Sequence, residues 1–319
     1  MSSRNRVLLT GATGHIGGRL FKHLVSLTEL RTCAVIRSSR SMPSWVSGDS
    51  LVVGDLSKSS VRSEALIGID TVVHLATRGF SSAAGPTQAD LDRERAIASA
   101  LVRESIQAGV SRFVFVSSIH VYGDNLAGHV DDDTPTSPKS AYGVSRLRIE
   151  EELLAMTSGT HTQGSVIRLT NSFGAPEIPR PETWNLLIHD LCRQAVESSR
   201  ITLRSDPRTS RDMMALRDVT TVMGQLITSM PMKQGVYLLA TGQSMRLSEI
   251  AELVVDEASN VLGRRVSIES RVTDGAPPPT YTLTPRKLRE AGIVVPNNRN
   301  VEVRDLLTLA MQEYRSRIR

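Results

Sequence analysis

The chain has 319 residues, of which 40% are hydrophobic and 22% are charged. This composition excludes a disordered tail protein, a coiled coil, a collagen-like chain and a small disulfide-stapled domain. The net charge of +5 is spread along the chain and only 4% of the residues are aromatic. The basicity therefore fits a polyanionic small molecule at least as well as nucleic acid, and no nucleic-acid partner is predicted.

Cysteine usage and hydropathy predict a cytoplasmic protein without a metal site. The two cysteines, Cys33 and Cys192, lie far apart, and no Cys/His cluster has the spacing of metal ligands. Residues 1–6 lead into a short apolar segment without the features of a signal peptide. No stretch approaches the roughly 20 apolar residues that cross a bilayer, so no membrane partner is expected.

Apolar runs alternate with helical patterns in the first half of the chain. Strands are predicted at residues 6–10, 32–37, 50–53, 71–76 and 112–117, and helices at 15–26, 91–108 and 141–157. The strands are continuous apolar runs, which is typical of a parallel sheet buried on both faces. Strand–helix–strand units with right-handed crossovers predict a doubly wound α/β sheet of the Rossmann type.

The second half of the chain is more irregular. Prolines follow residue 167, and helices are predicted at 184–197, 247–261 and 301–315, with a polar turn at 205–210 and a strand at 236–240. The segment 276–279, an alanine followed by three prolines, predicts a stiff linker. We expect a first domain at 1–167, to which 212–242 returns, and a smaller interleaved α/β lobe from 168–211 and 243–319, with a cleft between them.

A glycine-rich loop lies between the first predicted strand and the first predicted helix. Gly11 permits a tight turn, Gly14 lets the backbone approach a pyrophosphate, and Gly17 lets the helix pack on the strand. The helix N-terminus then offers free N–H groups to phosphates. The first domain is therefore predicted to bind a dinucleotide, in contact with these loop residues: Gly11, Thr13, Gly14, His15, Ile16 and Gly17.

The end of the second predicted strand indicates which dinucleotide binds. A carboxylate about 20 residues after the loop would hold the adenosine ribose and reject a 2′-phosphate. The chain instead has Arg37 and Arg40, separated by two serines. Two guanidinium groups suit a phosphate dianion, so NADP(H) is favoured over NAD(H), although both arginines are also explained as solvated loop charges.

The chain resembles the extended short-chain dehydrogenase/reductase family, in particular its nucleotide-sugar epimerase, dehydratase and reductase branch. The resemblance covers most of the chain. It implies that Asp55 and Leu56 flank the adenine and that Leu75, Ala76 and Thr77 line the cofactor. Besides the glycine loop it rests on these motifs: Gly54-Asp-Leu56, His74-Leu-Ala-Thr77, Val116-Ser-Ser118, Tyr142-Gly-Val-Ser-Arg146, Arg168-Leu-Thr-Asn171, and Arg211-Asp212 followed by Asp218-Val219.

The same resemblance implies that Tyr142 and Ser118 hold the substrate oxygen during hydride transfer, and that Tyr142 and Arg146 also contact the cofactor. Carbonyl reduction needs a proton donor for the forming alkoxide and a second donor to stabilise its charge. A free tyrosine, with a pKa of about 10, is a poor base near neutral pH. A neighbouring cation and the nicotinamide charge lower that pKa.

Two residues depart from the family pattern. Arg146 stands four residues after Tyr142, where the family has lysine, and Glu94 stands near a place where the family often has asparagine. A guanidinium keeps the charge and can bind ribose hydroxyls, but it cannot release a proton. Three interpretations stay open: Arg146 acts as a fixed electrostatic partner, Lys139 or water restores a proton relay, or the site serves binding alone.

Several further residues are candidates on the substrate side. Asn171 and Arg211 resemble family residues that contact the phosphates of a nucleotide sugar, although a surface ion pair also explains Arg211. Trp184 either stacks on the base or packs in the core. His74 and His120 are interpreted as structural residues rather than as ligands or catalysts.

The helices at 91–108 and 141–157 resemble those that pair across the dimer interface of the family, so a homodimer is expected. Leu101, Ile149 and Leu153 either form its apolar seam or pack inside one subunit. The family resemblance, together with the arginines after the second strand, implies an NADP(H)-dependent 4-ketoreductase of a nucleotide sugar. A nucleotide-sugar 4-epimerase is the first alternative, and a reductase of a non-nucleotide ketone and a non-catalytic dinucleotide sensor are the others.

Overall fold

The computed structural model describes residues 5–38, 43, 46–76, 85–178, 180–229, 232–270 and 275–317. Two residues predicted to bind the cofactor, Arg40 and Thr77, lie outside these described residues.

Seven parallel strands form the central sheet, in the spatial order β11-β7-β5-β4-β1-β2-β3. This arrangement confirms the predicted doubly wound α/β sheet. The strands, in chain order, are β1 (Asn5–Thr10), β2 (Leu30–Ile36), β3 (Leu51–Val53), β4 (Thr71–His74), β5 (Arg112–Ser118), β6 (Gly128–Asp131), β7 (Gln163–Leu169), β8 (Asn171–Phe173), β9 (Arg200–Leu203), β10 (Ser210–Ala215), β11 (Gly235–Leu239), β12 (Ser244–Arg246), β13 (Ser267–Ser270) and β14 (Tyr281–Thr284).

Helices cover both faces of this sheet, because its strands are apolar on both sides. They are α1 (His15–Ser26), α2 (Ser59–Ala65), α3 (Gln88–Gln107), α4 (Ala141–Thr157), α5 (Leu187–Ser198), α6 (Leu216–Thr228), α7 (Leu247–Leu262), α8 (Arg286–Glu290) and α9 (Arg299–Arg317). Helices α1 and α6 pack on one face, and α2, α3 and α4 pack on the other. Among the described helices, none combines the length and apolar character needed to span a membrane.

The residues proposed for a dimer seam lie inside the subunit. Leu101, Ile149 and Leu153 are all less than 5% exposed and belong to the core between the sheet and helices α3 and α4. These side chains are therefore explained by packing within one chain. A homodimer stays a prediction, and its interface would have to use other residues of the two helices.

A second core lies outside the central sheet. Helices α5, α7 and α9 pack together with strands β9 and β10 around buried residues such as Phe173 and Val254. A three-stranded sheet, β12-β10-β8, joins this core to the end of β7. The exact division of the chain into two lobes stays a prediction.

Several element boundaries differ from those predicted, among them the end of β4 and the start of α3. Strand β4 ends at His74 rather than at residue 76, because the Leu75 and Ala76 amides turn toward Thr10. Helix α3 begins at Gln88 rather than at residue 91. Its N-terminus is fixed by a capping box, in which the Thr87 hydroxyl accepts from the Asp90 amide.

Candidate active site

The carboxyl ends of the central strands bring the predicted site residues to one edge of the sheet. Thr10 ends β1, His74 ends β4 and Ser118 ends β5, and these strands are parallel neighbours. Strands β2 and β3 lie on one side of β1, whereas β4 and β5 lie on its other side. A parallel sheet opens a crevice at such a switch point, where ligands bind.

The glycine loop between β1 and α1 is folded tightly against the end of β4. Gly11 has a φ of +79°, and a Cβ there would lie 2.8 Å from the Ala76 nitrogen. A Cβ on Gly17 would lie 2.0 Å from the Gly11 carbonyl oxygen. A Cβ on Gly14 would lie 3.1 Å from the Gly11 carbonyl oxygen. Among the described residues, no further neighbouring atom lies within 4 Å of it. The loop therefore keeps open space beside the first N–H groups of α1, which fits a pyrophosphate.

Three other residues predicted to contact the cofactor support this loop. The Leu75 amide donates to the Thr10 carbonyl at 3.2 Å, and the Ala76 amide donates to the Thr10 hydroxyl at 3.3 Å. Ile16 and Leu75 also pack, partly buried, on the core beneath the loop. The end of β4 is therefore held beside the glycine loop by backbone groups.

Thr13 has a partner that the sequence did not indicate. Arg180, from the segment after β8, donates from Nε to the Thr13 carbonyl at 2.8 Å and from Nη2 to its hydroxyl at 3.4 Å. Its guanidinium also pairs with Glu182 at 3.2 Å. No spacing signal links positions 13 and 180, so only the fold brings this arginine to the loop.

His15, the half-buried first residue of α1, lies beside the buried imidazole ring of His189. Its ring centroid is 5.1 Å from that of His189, and neither His15 nitrogen has a hydrogen-bond partner among the described residues. Burial, together with the charges of His189 and Arg19, lowers the pKa of His15 to about 3. Burial likewise lowers the pKa of His189 to about 4.

This pair makes the stability of the protein depend on pH. An unfolded histidine takes up its proton near pH 6.5, whereas the folded His15 does so near pH 3. Stability is therefore fully present above about pH 6.5 and falls as the pH decreases toward 3, because the unfolded state binds more protons in that window.

We expect His15→Phe to reduce the loss of unfolding free energy between pH 7.5 and pH 5.0 by up to about 2 kcal/mol. Phenylalanine fills similar volume and has no proton to gain. Urea unfolding at the two pH values measures the difference. His161→Phe, the same replacement at an exposed position, is the control. An equal loss in His15→Phe and the unchanged protein would contradict this prediction.

Arg37 and Asp55 lie near each other where an adenosine ribose is expected. Arg37 is exposed directly after β2. The amide and hydroxyl of Ser57 donate to Asp55 and lower the pKa of its carboxyl, with smaller contributions from the charges of Arg93 and Arg37. Leu56, next in the chain, is partly buried and packs on the core. Its carbonyl oxygen accepts a hydrogen bond from Arg62 Nη1 at 2.7 Å. A cation and a carboxylate thus share this corner of the crevice.

Ser118 and Tyr142 both border His120. Ser118 ends β5, and its hydroxyl accepts from the His120 amide at 3.3 Å. The His120 and Tyr142 rings meet edge to face with centroids 6.0 Å apart. Ser140 caps α4, and a Cβ on Gly143 would lie 2.7 Å from the His120 carbonyl oxygen, so the start of α4 packs directly on the turn that follows β5.

Arg146 lies one turn after Tyr142 on the buried side of α4. Its Cζ is 5.2 Å from the centroid of the Tyr142 ring and 5.5 Å from that of Phe115. The side chain is 1% exposed and forms an ion pair with Glu94 of α3. Both residues that depart from the family pattern therefore contact each other.

His74 is a core histidine, as the sequence indicated. Its Nδ1 is 2.7 Å from the Thr10 hydroxyl, and its ring stacks on Phe115 with centroids 6.0 Å apart. Burial, and then the positive charge of Arg146, lower the pKa of His74 to about 3. The ring is neutral at physiological pH.

The two predicted phosphate-binding residues lie on neighbouring strands. Asn171 begins β8 and its amide donates to the Asp212 carbonyl at 3.4 Å. Arg211, on β10, is exposed. Its positive charge acts to lower the pKa of both His120 and Tyr281, although burial has the larger effect on each. The Asp212 carboxylate accepts from Thr241 and Gly242 instead of pairing with Arg211 as the surface interpretation supposed.

Trp184 packs in the second core and is not available for base stacking. It is 7% exposed, and its indole N–H donates to Glu313 at 2.9 Å. Its ring meets His189 edge to face. The packing alternative is therefore correct for this residue.

A family model described as the NAD dependent epimerase/dehydratase family matches residues 7–240. The chain belongs to this family. The match spans the central sheet, the glycine loop, Ser118, Tyr142 and Arg211, and it confirms the resemblance derived from the sequence motifs.

One curated relative is the UDP-glucose 4-epimerase of Vibrio cholerae, to which the chain is 30% identical over 174 residues. These residues are 53% of this chain and 52% of that protein, so the chain spans about half the length of this relative.

Two solved structures share the fold. MoeE5 in complex with UDP-glucose and NAD has a TM-score of 0.77 and 22% identity, covering 97% of this chain and 100% of that one. RMD from Pseudomonas aeruginosa complexed with NADPH has a TM-score of 0.70 and 22% identity, covering 97% and 99%. At this identity the likeness extends to the fold alone.

Proposed function

We propose that the protein is an NAD(P)-dependent enzyme that interconverts a secondary alcohol and a ketone at C4 of a nucleotide-linked sugar, with 4-epimerisation as its net reaction. The proposal is supported most directly by the cluster of Ser118, His120, Tyr142 and Arg146 at the switch point beside the glycine loop. The family match and the curated 4-epimerase relative agree with it.

Tyr142 and Ser118 have distinct parts in this reaction. The bound dinucleotide supplies the acceptor and donor of hydride. Tyr142 takes the proton of the C4 hydroxyl during oxidation and returns it during reduction. The Ser118 hydroxyl donates a hydrogen bond to the same oxygen and stabilises the charge that develops on it.

Other residues bind the two ligands. The loop from Gly11 to Gly17 holds the pyrophosphate of the dinucleotide. Arg211 and Asn171 bind the diphosphate of the nucleotide sugar, since the exposed guanidinium of Arg211 can engage two phosphate oxygens at once. A non-nucleotide ketone has little use for this charge, which disfavours that alternative.

A product panel tests this function. In each of three separate samples the protein is incubated with NAD⁺ and one nucleotide sugar: UDP-glucose, UDP-N-acetylglucosamine or UDP-glucuronate. The anomeric protons are followed by NMR. We expect the C4 epimer of at least one sugar to appear, and Ser118→Ala to slow its formation by about 100-fold. The absence of any epimer, together with no NADPH-dependent reduction of 4-keto nucleotide sugars, would refute the proposal.

A 4-ketoreductase that uses NADPH is the second candidate, and Arg37 is the observation that favours it. This exposed cation follows β2, where the adenosine 2′-position is expected. Structural neighbours in complex with NAD and with NADPH are both known. Reduction of a 4-keto sugar with loss of NADPH absorbance and no epimerisation of the parent sugar would identify this activity.

The cofactor preference gives a prediction of its own. Arg37→Glu is expected to weaken NADPH binding by about 10- to 100-fold and to leave NADH binding within a few-fold, because one charge-assisted contact to the 2′-phosphate is lost. Fluorescence titration measures both affinities. Arg31→Glu, an equal charge change at the exposed start of β2, is the matched control. Equal weakening of both dinucleotides would contradict the assignment of Arg37.

A further inference from the structure

Helices α3 and α4 carry a buried ion pair directly behind the candidate site. Glu94 of α3 is 8% exposed and Arg146 of α4 is 1% exposed. Arg146 is also among the largest side chains that the fold buries completely. A lone buried charge is costly, and a partner of opposite charge with good geometry offsets most of that cost.

The ion pair fixes the guanidinium against two aromatic rings. Glu94 contacts its Nη2, while the Cζ lies within 5.5 Å of the ring centroids of Tyr142 and Phe115. The Arg146 Nε is buried and has no hydrogen-bond partner among the described residues. The Glu94 carboxylate thus anchors the guanidinium at Nη2, while the Nε–H has no acceptor among the described residues.

The charges around Tyr142 come from several elements. His120 meets its ring from the turn after β5, and Arg211 of β10 and Asp124 act on His120. His74, at the end of β4, is buried and neutral, because burial first and then the Arg146 charge lower its pKa. Arg146 places a fixed cation over the Tyr142 ring, and the Glu94 carboxylate balances it.

We propose that Glu94 is a positioning residue, which holds Arg146 against the Tyr142 ring and cancels much of its charge there. An unpaired cation at position 146 would favour the phenolate more strongly than the neutral pair does. Glu94 therefore controls how strongly the charge of Arg146 acts on Tyr142. The inference rests on the proposed function in so far as Tyr142 carries the proton of the C4 oxygen.

Phenolate absorbance tests this inference without cofactor or substrate. The chain has five tyrosines, so the titration of Tyr142 is the difference between each protein and the same protein carrying Tyr142→Phe. In Glu94→Gln, which keeps the shape and removes the charge, the Tyr142 midpoint is expected to fall by about one pH unit. An unchanged or higher midpoint would overturn the proposal.

The matched control is Glu152→Gln. Glu152 also joins α3 to α4, through Arg95, but its pair is partly exposed. The same charge change between the same helices should leave the Tyr142 midpoint unmoved. A shift equal to that of Glu94→Gln would show that the effect is general and would overturn the role of Glu94.

If Glu94→Gln does not fold, because Arg146 is left unpaired, a second comparison decides. The double variant Glu94→Gln/Arg146→Gln, in which no buried charge remains without a partner, is compared with the unchanged protein. The Tyr142 midpoint is expected to be about equal in the two, because Glu94 is proposed to cancel the Arg146 charge at Tyr142. A clearly higher midpoint in the double variant would show that the Arg146 charge is not cancelled and would overturn the proposal. Because this titration needs no turnover, failure of the proposed function leaves its result unaffected, and the converse also holds.

Discussion

Replacing Tyr142 by phenylalanine is expected to lower kcat for epimerisation by about 1000-fold and to change dinucleotide affinity by no more than a few-fold, because the variant keeps the ring and loses the hydroxyl that carries the proton. Phenylalanine keeps the ring that packs against His120 and Arg146. The free energy of unfolding should therefore change little. Turnover by NMR and dinucleotide affinity by fluorescence measure the two effects.

Tyr237→Phe is the control for this experiment. The Tyr237 hydroxyl bonds to the Lys233 carbonyl at 3.1 Å, and its ring belongs to the core beneath α1 and α6. This variant also loses one phenolic hydroxyl, but it should keep full turnover. A Tyr142→Phe protein as active as the control would remove Tyr142 from the reaction.

Gly17→Ala is expected to weaken dinucleotide binding by at least about 100-fold and to destabilise the fold by about 3 kcal/mol. The added Cβ would lie 2.0 Å from the Gly11 carbonyl oxygen, and backbone at this distance cannot turn aside as a flexible side chain does. Helix α1 would have to separate from the loop whose N–H groups are meant to hold the pyrophosphate. Dinucleotide titration and urea unfolding measure the two losses.

Gly48→Ala provides the comparison. No described atom lies within 4 Å of a Cβ at this exposed position, so neither quantity should change. Retention of full dinucleotide affinity in Gly17→Ala would contradict the assignment of this loop as the pyrophosphate site.

The parts of the fold that local sequence specifies were predicted well. Helix α1 follows the glycine loop as expected, and α4 spans Ala141–Thr157, which are the predicted bounds. Both have a clear start, at the loop and at the Ser140 cap. Short strands such as β8 and β12 were missed, because three residues carry no periodicity that distinguishes a strand from a loop.

The site itself was predicted in its residues but not in its contacts. Glu94 and Arg146 were both noted as departures from the family pattern. They lie 52 positions apart in the chain, on two different helices, so their pairing follows only from the fold. A signal for burial was present, since Glu94 shares a helical face with the apolar Leu91, Ala98 and Leu101. A carboxylate on such a face requires a cation, and the sequence alone does not say which one.

Isotope retention at C4 tests the central claim most directly. The protein with NAD⁺ is given UDP-glucose and UDP-N-acetylglucosamine deuterated at C4, in ordinary water. We expect an epimeric product that keeps its deuterium, because the hydrogen removed from C4 is returned to the same carbon, and we expect almost no product from Tyr142→Phe. A product that has exchanged its deuterium for solvent hydrogen, or equal turnover by both proteins, would contradict the account.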